Sequence, residues 1–176
     1  MKDLKIKVTS LKLISERTIF LGLACFSFII PFSLGHSQFL TGTLTNSFLF
    51  LAIIFLPRRL FWPLIFLPSL AVLSRGLIFG PLTIFLIYLL PFIWLGNYFL
   101  MVVFKKINDR YNFYLSVFLA ALVKGLVIFI PTFFFFKINL LPYFFLRTMG
   151  FNQFLTAILG GFMVLLFFKK FKYGKF

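Results

Sequence analysis

The sequence contains few acidic residues, a single cysteine and a single histidine. Its 176 residues include 3 Asp and Glu against 18 Lys and Arg. One thiol cannot form an intrachain disulfide, a structural zinc site or an iron–sulfur cluster. The sequence also lacks an HExxH motif, a GxxxxGK[ST] loop and paired carboxylates in its apolar segments. These absences exclude, in that order, the common forms of zinc-dependent hydrolysis, nucleotide hydrolysis and acid–base catalysis. We therefore expect no enzyme, no catalytic residue, no metal site and no cofactor.

Charged residues are also scarce, and apolar residues take their place. The chain is 62% hydrophobic, 22% aromatic and 12% charged, whereas ordinary soluble domains are roughly 25% charged. A soluble domain of this length has too much surface for its volume to bury so many apolar side chains. The composition therefore excludes a soluble enzyme and a disordered chain, and it indicates a multi-pass protein of the cell membrane in contact with the lipid bilayer.

The sequence contains six apolar segments, most of them close to the roughly 20 residues that cross the core of a bilayer. Backbone groups in lipid must be satisfied within their own segment, so continuous runs of this length predict helices. The third segment is interrupted by Pro63 and Pro68. The sequence thus predicts an all-α, polytopic membrane protein with six transmembrane helices, at 18–34, 39–56, 60–78, 82–104, 113–136 and 151–168.

Lys and Arg residues are unevenly distributed between the two sides of these predicted helices. With the N-terminus inside, 14 of them lie in inner segments, and the three in outer segments are Arg75, Lys137 and Arg147. Cytoplasmic loops carry such an excess, so the bias predicts an N-in, C-in topology, which an even number of spans requires. Because the basic residues lie between apolar runs, we expect no nucleic-acid partner. The predicted parts are a basic cytoplasmic N-terminal tail (1–17), a six-helix membrane domain (18–168) and a basic cytoplasmic C-terminal tail (169–176).

The N-terminal tail has two further interpretations. Leu4, Val8, Leu11 and Ile14 recur at helical spacing beside several lysines. This pattern fits a short helix on the inner leaflet, and it equally fits a solvated tail. A signal peptide is less favoured, because the apolar run that follows is long for one.

Polar side chains are costly inside a membrane, so each one within an apolar segment is a candidate functional group. The richest cluster opens the second predicted helix, where His36, Gln38 and Asn46 stand among several threonines. Arg75, at the outer end of the third helix, and Gln153, at the outer start of the sixth, extend this set. Each also has a plain structural explanation: amides and hydroxyls join helices, and an arginine at a helix end reaches the lipid headgroups.

Lys124 lies near the middle of the fifth predicted helix. A buried ammonium group needs a counter-charge or several oxygen acceptors. The three acidic residues, Asp3, Glu16 and Asp109, all lie on the predicted inner side. We therefore expect Lys124 to be neutral, hydrated, bonded to carbonyls and amides of the bundle, or paired with an anionic group from a substrate or a partner subunit.

Together these features resemble the substrate-binding (S) component of energy-coupling-factor (ECF) vitamin transporters, which are six-helix membrane proteins with no energy source of their own. The residues that carry the resemblance are HSQFLTGTLTN, LPSLAVLSRGLIFGPL, PFIWLGN, Lys124 and NQFLTAILGG. The resemblance implies an outer cavity for a small vitamin-like solute, anionic or flat and heteroaromatic, with a transmembrane coupling subunit and ATPase subunits as partners. The substrate contacts that it implies are His36, Gln38, Asn46, Arg75, Lys124 and Gln153, with Trp94 and Tyr88 as stacking surfaces.

A second resemblance, to the small multi-span MreD-type morphogenesis proteins, implies a different function. Such a protein is a non-transporting membrane scaffold, and it needs no enclosed cavity near its outer face. The observation that separates the two alternatives is therefore whether the helices enclose a pocket lined by His36, Asn46 and Lys124.

Overall fold

The computed structural model describes residues 15–34, 37–76 and 80–173, and these residues are mostly helical, with no β-strand among them. The predicted all-α fold is therefore confirmed. Six main helices follow one another within these residues: α1 (Glu16–Ser33), α2 (Gln38–Phe55), α3 (Phe61–Arg75), α4 (Leu86–Asn108), α5 (Phe113–Lys137) and α6 (Asn152–Tyr173). Short irregular helices precede three of them: 3-10 turns at Arg58–Leu60 and Gly80–Phe85, and a single turn at Phe144–Leu146 that continues into a π-helical turn at Arg147–Phe151.

Within the described residues, five helical segments are long and apolar enough to cross a membrane, where the sequence predicts six. They are Glu16–Ser33, Gln38–Phe55, Leu82–Asn108, Phe113–Lys137 and Phe144–Phe168. The third predicted span is shorter than expected, because α3 ends at Arg75 and Gly76 adopts a left-handed conformation with φ of 67°. At 1.5 Å per residue, α3 is roughly 22 Å long, which is less than the ~30 Å of the hydrocarbon core.

Side-chain caps determine where three of the helices begin. The side-chain oxygens of Ser15, Ser37 and Asn112 each accept a hydrogen bond from a backbone N–H in the following turn, at 2.8–3.4 Å. These caps satisfy amides that the first turn of a helix leaves free. At the other terminus, α6 continues to Tyr173, so that the predicted C-terminal tail begins within a helix. The helix considered for residues 4–14 lies outside the described residues.

The principal helix pairs of the bundle are α4 with α5, α2 with α6, and α1 with α3. The second pair approaches closely at Gly160, where a Cβ atom would lie 2.8 Å from the Cβ of Asn46 and 2.9 Å from the backbone nitrogen of Ser47. The hydroxyl of Ser47 lies 2.9 Å from the carbonyl oxygen of Thr43 and 3.2 Å from that of Gly160. Small residues allow helix backbones to approach in this way inside a membrane.

The apolar core is divided into two clusters. The larger one packs around Phe50, Leu100 and Phe104, and the smaller one packs around Leu89 and Ile128. The buried polar residues Asn97, on α4, and Lys124, on α5, each lie between residues of the two clusters along their helix. This division leaves a polar layer within an otherwise apolar bundle.

Contacts between helix termini show that successive helices run in opposite directions. Arg75, at the end of α3, donates a hydrogen bond to the carbonyl oxygen of Ser33 at the end of α1, at 2.9 Å. Gln38, at the start of α2, donates to the carbonyl oxygen of Thr148, just before α6, at 3.3 Å. One end of the bundle therefore holds the ends of α1 and α3 and the starts of α2 and α6, and we call it the pocket end.

The opposite end of the bundle carries a concentration of basic residues, and we call it the basic end. Arg59, before α3, lies 4.0 Å from Glu16, at the start of α1. Both side chains of this ion pair are well exposed, so it contributes little to stability. The last turn of α4 adds Lys105 and Lys106 at this end, and the connection between α4 and α5 adds Arg110.

Candidate ligand pocket

A pocket enters the bundle at the pocket end and descends to Lys124. It has a volume of about 90 Å³, and residues from all six main helices line it. Gln38 and Gln153, near its mouth, are half-buried, whereas Asn46 and Lys124, at its floor, are 1% and 2% exposed. The lining is therefore more exposed at the mouth than at the floor. Its volume holds several water molecules or one small chemical group, and it is smaller than the ~300 Å³ at which sites for drug-sized ligands begin.

Two asparagines hold Lys124 at the floor of the pocket. The Nζ of Lys124, on α5, donates to the Oδ1 of Asn46, on α2, at 2.6 Å and to the Oδ1 of Asn97, on α4, at 2.7 Å. All three side chains are at most 2% exposed. Oxygen acceptors at these distances replace part of the hydration that an amine loses on burial. Of the alternatives that the sequence leaves open for Lys124, the structure thus shows bonding to amide oxygens.

The two asparagines are themselves fixed by further helices. The Nδ2 of Asn46 donates to the Oγ1 of Thr156, on α6, at 3.3 Å. The Nδ2 of Asn97 donates to the backbone carbonyl oxygen of Ile65, on α3, at 3.2 Å. Since an amide uses its oxygen and its nitrogen in different directions, these partners orient both oxygens toward Lys124. The floor is thus one network that joins α5 to α2, α3, α4 and α6.

Amide side chains surround the mouth of the pocket. Gln38 donates to the carbonyl oxygen of Thr148, and the Nε2 of Gln153 lies 3.8 Å from the sulfur of Met149, which is a weak acceptor. Asn152 also lines the mouth. Thr148 and Met149 belong to the π-helical turn before α6, and such turns often occur at functional sites. The mouth therefore offers amide donors and acceptors together.

Four of the six predicted contacts come together in this pocket. The lining includes Gln38, Asn46, Lys124 and Gln153, which come from α2, α5 and α6. His36, the first residue of the predicted set, lies outside the described residues. The proposed convergence of polar side chains on one hollow is thus found for the residues on α2, α5 and α6.

Arg75 lies at the same end of the bundle but outside the lining of the pocket. Its guanidinium donates to the carbonyl oxygens of Phe32 and Ser33, and it lies 5.7 Å from the centre of the Phe32 ring. The last carbonyls of a helix lack partners within the helix, and Arg75 supplies partners for two of them in α1. In this arrangement Arg75 joins α3 to α1.

The two aromatic residues expected as stacking surfaces also lie outside the pocket lining. The Nε1 of Trp94 donates to the hydroxyl of Ser69 at 2.7 Å, and its ring packs edge-on against Phe66 at 4.8 Å between centroids. Tyr88 is 48% exposed on the surface of the bundle. A solute inside the pocket would contact Ser69, which lines the wall, and neither aromatic ring.

Asn97 and Thr156 are pocket residues that the predicted set omits. The signal for Asn97 was its position after Gly96 within an apolar helix. A Cβ atom on Gly96 would lie 2.9 Å from the side chain of Ile128 and 3.4 Å from the Cγ of Lys124. The missing side chain therefore lets α4 approach α5 at the level of Lys124, and this brings Asn97 within reach of the amine.

The chemistry of the pocket is that of hydrogen bonding around one amine. Its lining contains amides, hydroxyls and Lys124, and no carboxylate or thiol among the described residues. In the part of the chain that the structure describes, no cluster of His, Cys, Asp and Glu is suited to a metal ion. The pocket is thus equipped to bind a polar solute by hydrogen bonds and charge.

Comparisons of the chain with protein-family models, curated proteins and solved structures find no match. The class of protein is therefore defined by the structure alone. Among the described residues, five apolar helices of membrane-spanning length surround, together with α3, a pocket with a polar floor. The chain is a helical, membrane-embedded protein with an internal polar pocket.

Proposed function

We propose that the chain is the substrate-binding subunit of an ECF-type importer in the cell membrane, and that it captures a small solute at the outer face. The observation that carries the proposal is the convergence of Gln38 and Gln153 at the mouth with Asn46 and Lys124 at the floor of one pocket. Polar groups within an apolar bundle cost free energy unless they are satisfied, and intramembrane polar groups commonly mark substrate pathways. A bound solute would supply partners to these groups.

The proposal includes six spans with both termini inside, so that the pocket end faces the exterior. The 3-10 turn Arg58–Leu60 runs directly into α3, and the two contain 3 and 15 residues. Together they extend roughly 28 Å, close to the ~30 Å hydrocarbon core, which supports α3 as a sixth span. The basic end carries the excess of Lys and Arg that is typical of cytoplasmic loops.

Orientation is tested with single cysteines in a Cys25→Ser background. Ile138→Cys places a thiol in the exposed connection after α5, at the pocket end. We expect a membrane-impermeant maleimide to label it in intact cells. Lys106→Cys, at the basic end, is the matched control and should be labelled only after permeabilisation. Labelling in the opposite pattern would place the pocket end inside the cell and exclude capture of external solutes.

Energy for uptake would come from partner subunits, because the sequence has no GxxxxGK[ST] loop. Of the five spans, Glu16–Ser33 is the least buried, with 17% of its residues inside the bundle. Leu21, Phe26 and Ile29 of this helix are more than half exposed. Lipid or an apolar surface of another membrane protein covers such side chains, so α1 is the face that we assign to the coupling subunit.

The importer assignment is tested by purifying the tagged full-length chain from membranes of its native host in mild detergent. We expect a second integral membrane protein and ATP-binding subunits to co-purify in fixed ratio, and ATP-dependent solute uptake to be lost when the chain is deleted. An unrelated tagged multi-pass protein, purified in the same way, is the control. Co-purification with cell-wall or cytoskeletal proteins and without ATPases would instead establish the MreD-type scaffold function.

A further inference from the structure

We infer that the solute is a compact carboxylate that enters head-first and places its carboxylate oxygens against Lys124 at the floor of the pocket. This inference rests on the proposed solute-binding function and names the chemical class that the pocket recognises. Three properties of the pocket carry it: the hydrogen-bonding groups left over at the floor, the charge of the floor, and the dimensions of the pocket.

Donors are in excess at the floor of the pocket. Asn46 and Asn97 direct their side-chain oxygens to Lys124 and donate one N–H each to Thr156 and Ile65. A side-chain amide has two N–H donors and an ammonium group has three. One N–H of each asparagine and one N–H of Lys124 therefore take no part in these four bonds, whereas both amide oxygens already accept a hydrogen bond from Lys124. A group rich in acceptors, such as a carboxylate with its two oxygens, complements this arrangement.

The charge of the floor favours a monoanion. Lys124 is 2% exposed, and among the described residues the acids Glu16 and Asp109 lie at the basic end of the bundle. The ion pair that the described residues form joins Glu16 to Arg59 instead. Burying a cation without a counter-charge is costly, and a bound carboxylate would supply one negative charge beside the amine. A dianionic phosphate would bring a second charge that no buried group balances.

The dimensions of the pocket restrict the rest of the solute. Asn46, at the floor, and Gln38, at the mouth, lie on one helix and are separated by roughly 12 Å at 1.5 Å per residue. Between them the walls include the apolar side chains of Val72, Leu86 and Ile93. Because the volume is about 90 Å³, the solute has a short apolar body behind its carboxylate. A neutral polar group at its far end would meet the amides of the mouth.

The experiment compares matched acids and amides as ligands of the purified full-length chain. Thermal unfolding in detergent is followed with acetate, propionate and butyrate, and with acetamide, propionamide and butyramide, at constant ionic strength. We expect at least one acid to raise the Tm saturably, by roughly 5 °C, and its amide to leave the Tm unchanged. The increase should be absent in Lys124→Met. It should persist in Lys137→Met, which removes an exposed lysine on the same helix that lies 5.4 Å from the Phe133 ring.

A second variant keeps the test decisive if Lys124→Met does not fold. Asn97→Asp places a carboxylate within the chain at a position whose oxygen lies 2.7 Å from the Nζ of Lys124. This variant should fold and should no longer respond to added acids, because its own carboxylate occupies the donors. Equal responses to acids and amides, or an unchanged response in either floor variant, would overturn the carboxylate assignment.

The outcomes also separate this inference from the importer assignment. A chain that co-purifies with coupling and ATPase subunits and shows no response to acids is an importer subunit with a different class of solute. A chain that binds acids through Lys124 and has no such subunits is a carboxylate-binding membrane protein outside the ECF type. The two results are measured on separate preparations, so neither depends on the other.

Discussion

Asn46→Leu is expected to destabilise the protein by about 3 kcal/mol, because it leaves a buried amine without one of its two acceptors. The change removes the oxygen that lies 2.6 Å from the Nζ of Lys124 and also the donor to Thr156. Leucine has the same number and branching of side-chain heavy atoms, so the substitution leaves no cavity and the expected loss comes from hydrogen bonding. Thermal or SDS-induced unfolding of the purified protein in detergent measures the effect. Asn152→Leu, at the half-buried mouth, is the matched control and should cost less than about 1 kcal/mol.

A double-mutant cycle isolates the contact between the two side chains. Asn46→Leu combined with Lys124→Met should recover much of the lost stability, because removing both partners leaves no buried amine to satisfy. We expect a coupling free energy of about 1–3 kcal/mol. If the two single effects simply add, Asn46 and Lys124 do not interact in the folded protein and the floor network is disproved.

Gly160→Ala is expected to destabilise the protein by about 2–3 kcal/mol through overpacking between α2 and α6. The new Cβ atom would lie 2.8 Å from the Cβ of Asn46, 2.9 Å from the backbone nitrogen of Ser47 and 3.0 Å from the carbonyl oxygen of Thr43. These atoms belong to or adjoin the α2 backbone, so the clash cannot be relieved by rotating a flexible side chain. The two helices must separate, and unfolding in detergent measures the cost.

Gly22→Ala is the matched control for this substitution. No atom lies within 4 Å of the position that a Cβ on Gly22 would occupy. Alanine also favours the helical conformation more than glycine does. The change should therefore leave stability unaltered or raise it slightly. If both glycine variants lose the same stability, close packing at Gly160 does not explain the loss.

Local features of the sequence predicted most of the fold. Apolar runs of membrane length gave helices at nearly the expected positions, because each run must satisfy its own backbone in lipid. The third run was the exception: 60–78 is apolar throughout much of its length, yet the helix ends at Arg75. The left-handed conformation of Gly76 ends it, and an apolar run does not indicate whether a glycine within it adopts such a conformation.

The sequence by itself determined the membrane-embedded helical class and a short set of polar candidates, because both follow from composition and from local runs. Only the tertiary structure decided which candidates meet. Lys124 bonds to residues 78 and 27 positions away in sequence, while Arg75 turns to the carbonyls at the end of α1. A helix that is apolar on every face carries little information about which face meets its neighbours. Close contacts at glycines and hydrogen bonds between helices determine which faces meet, and these contacts depend on all six helices together.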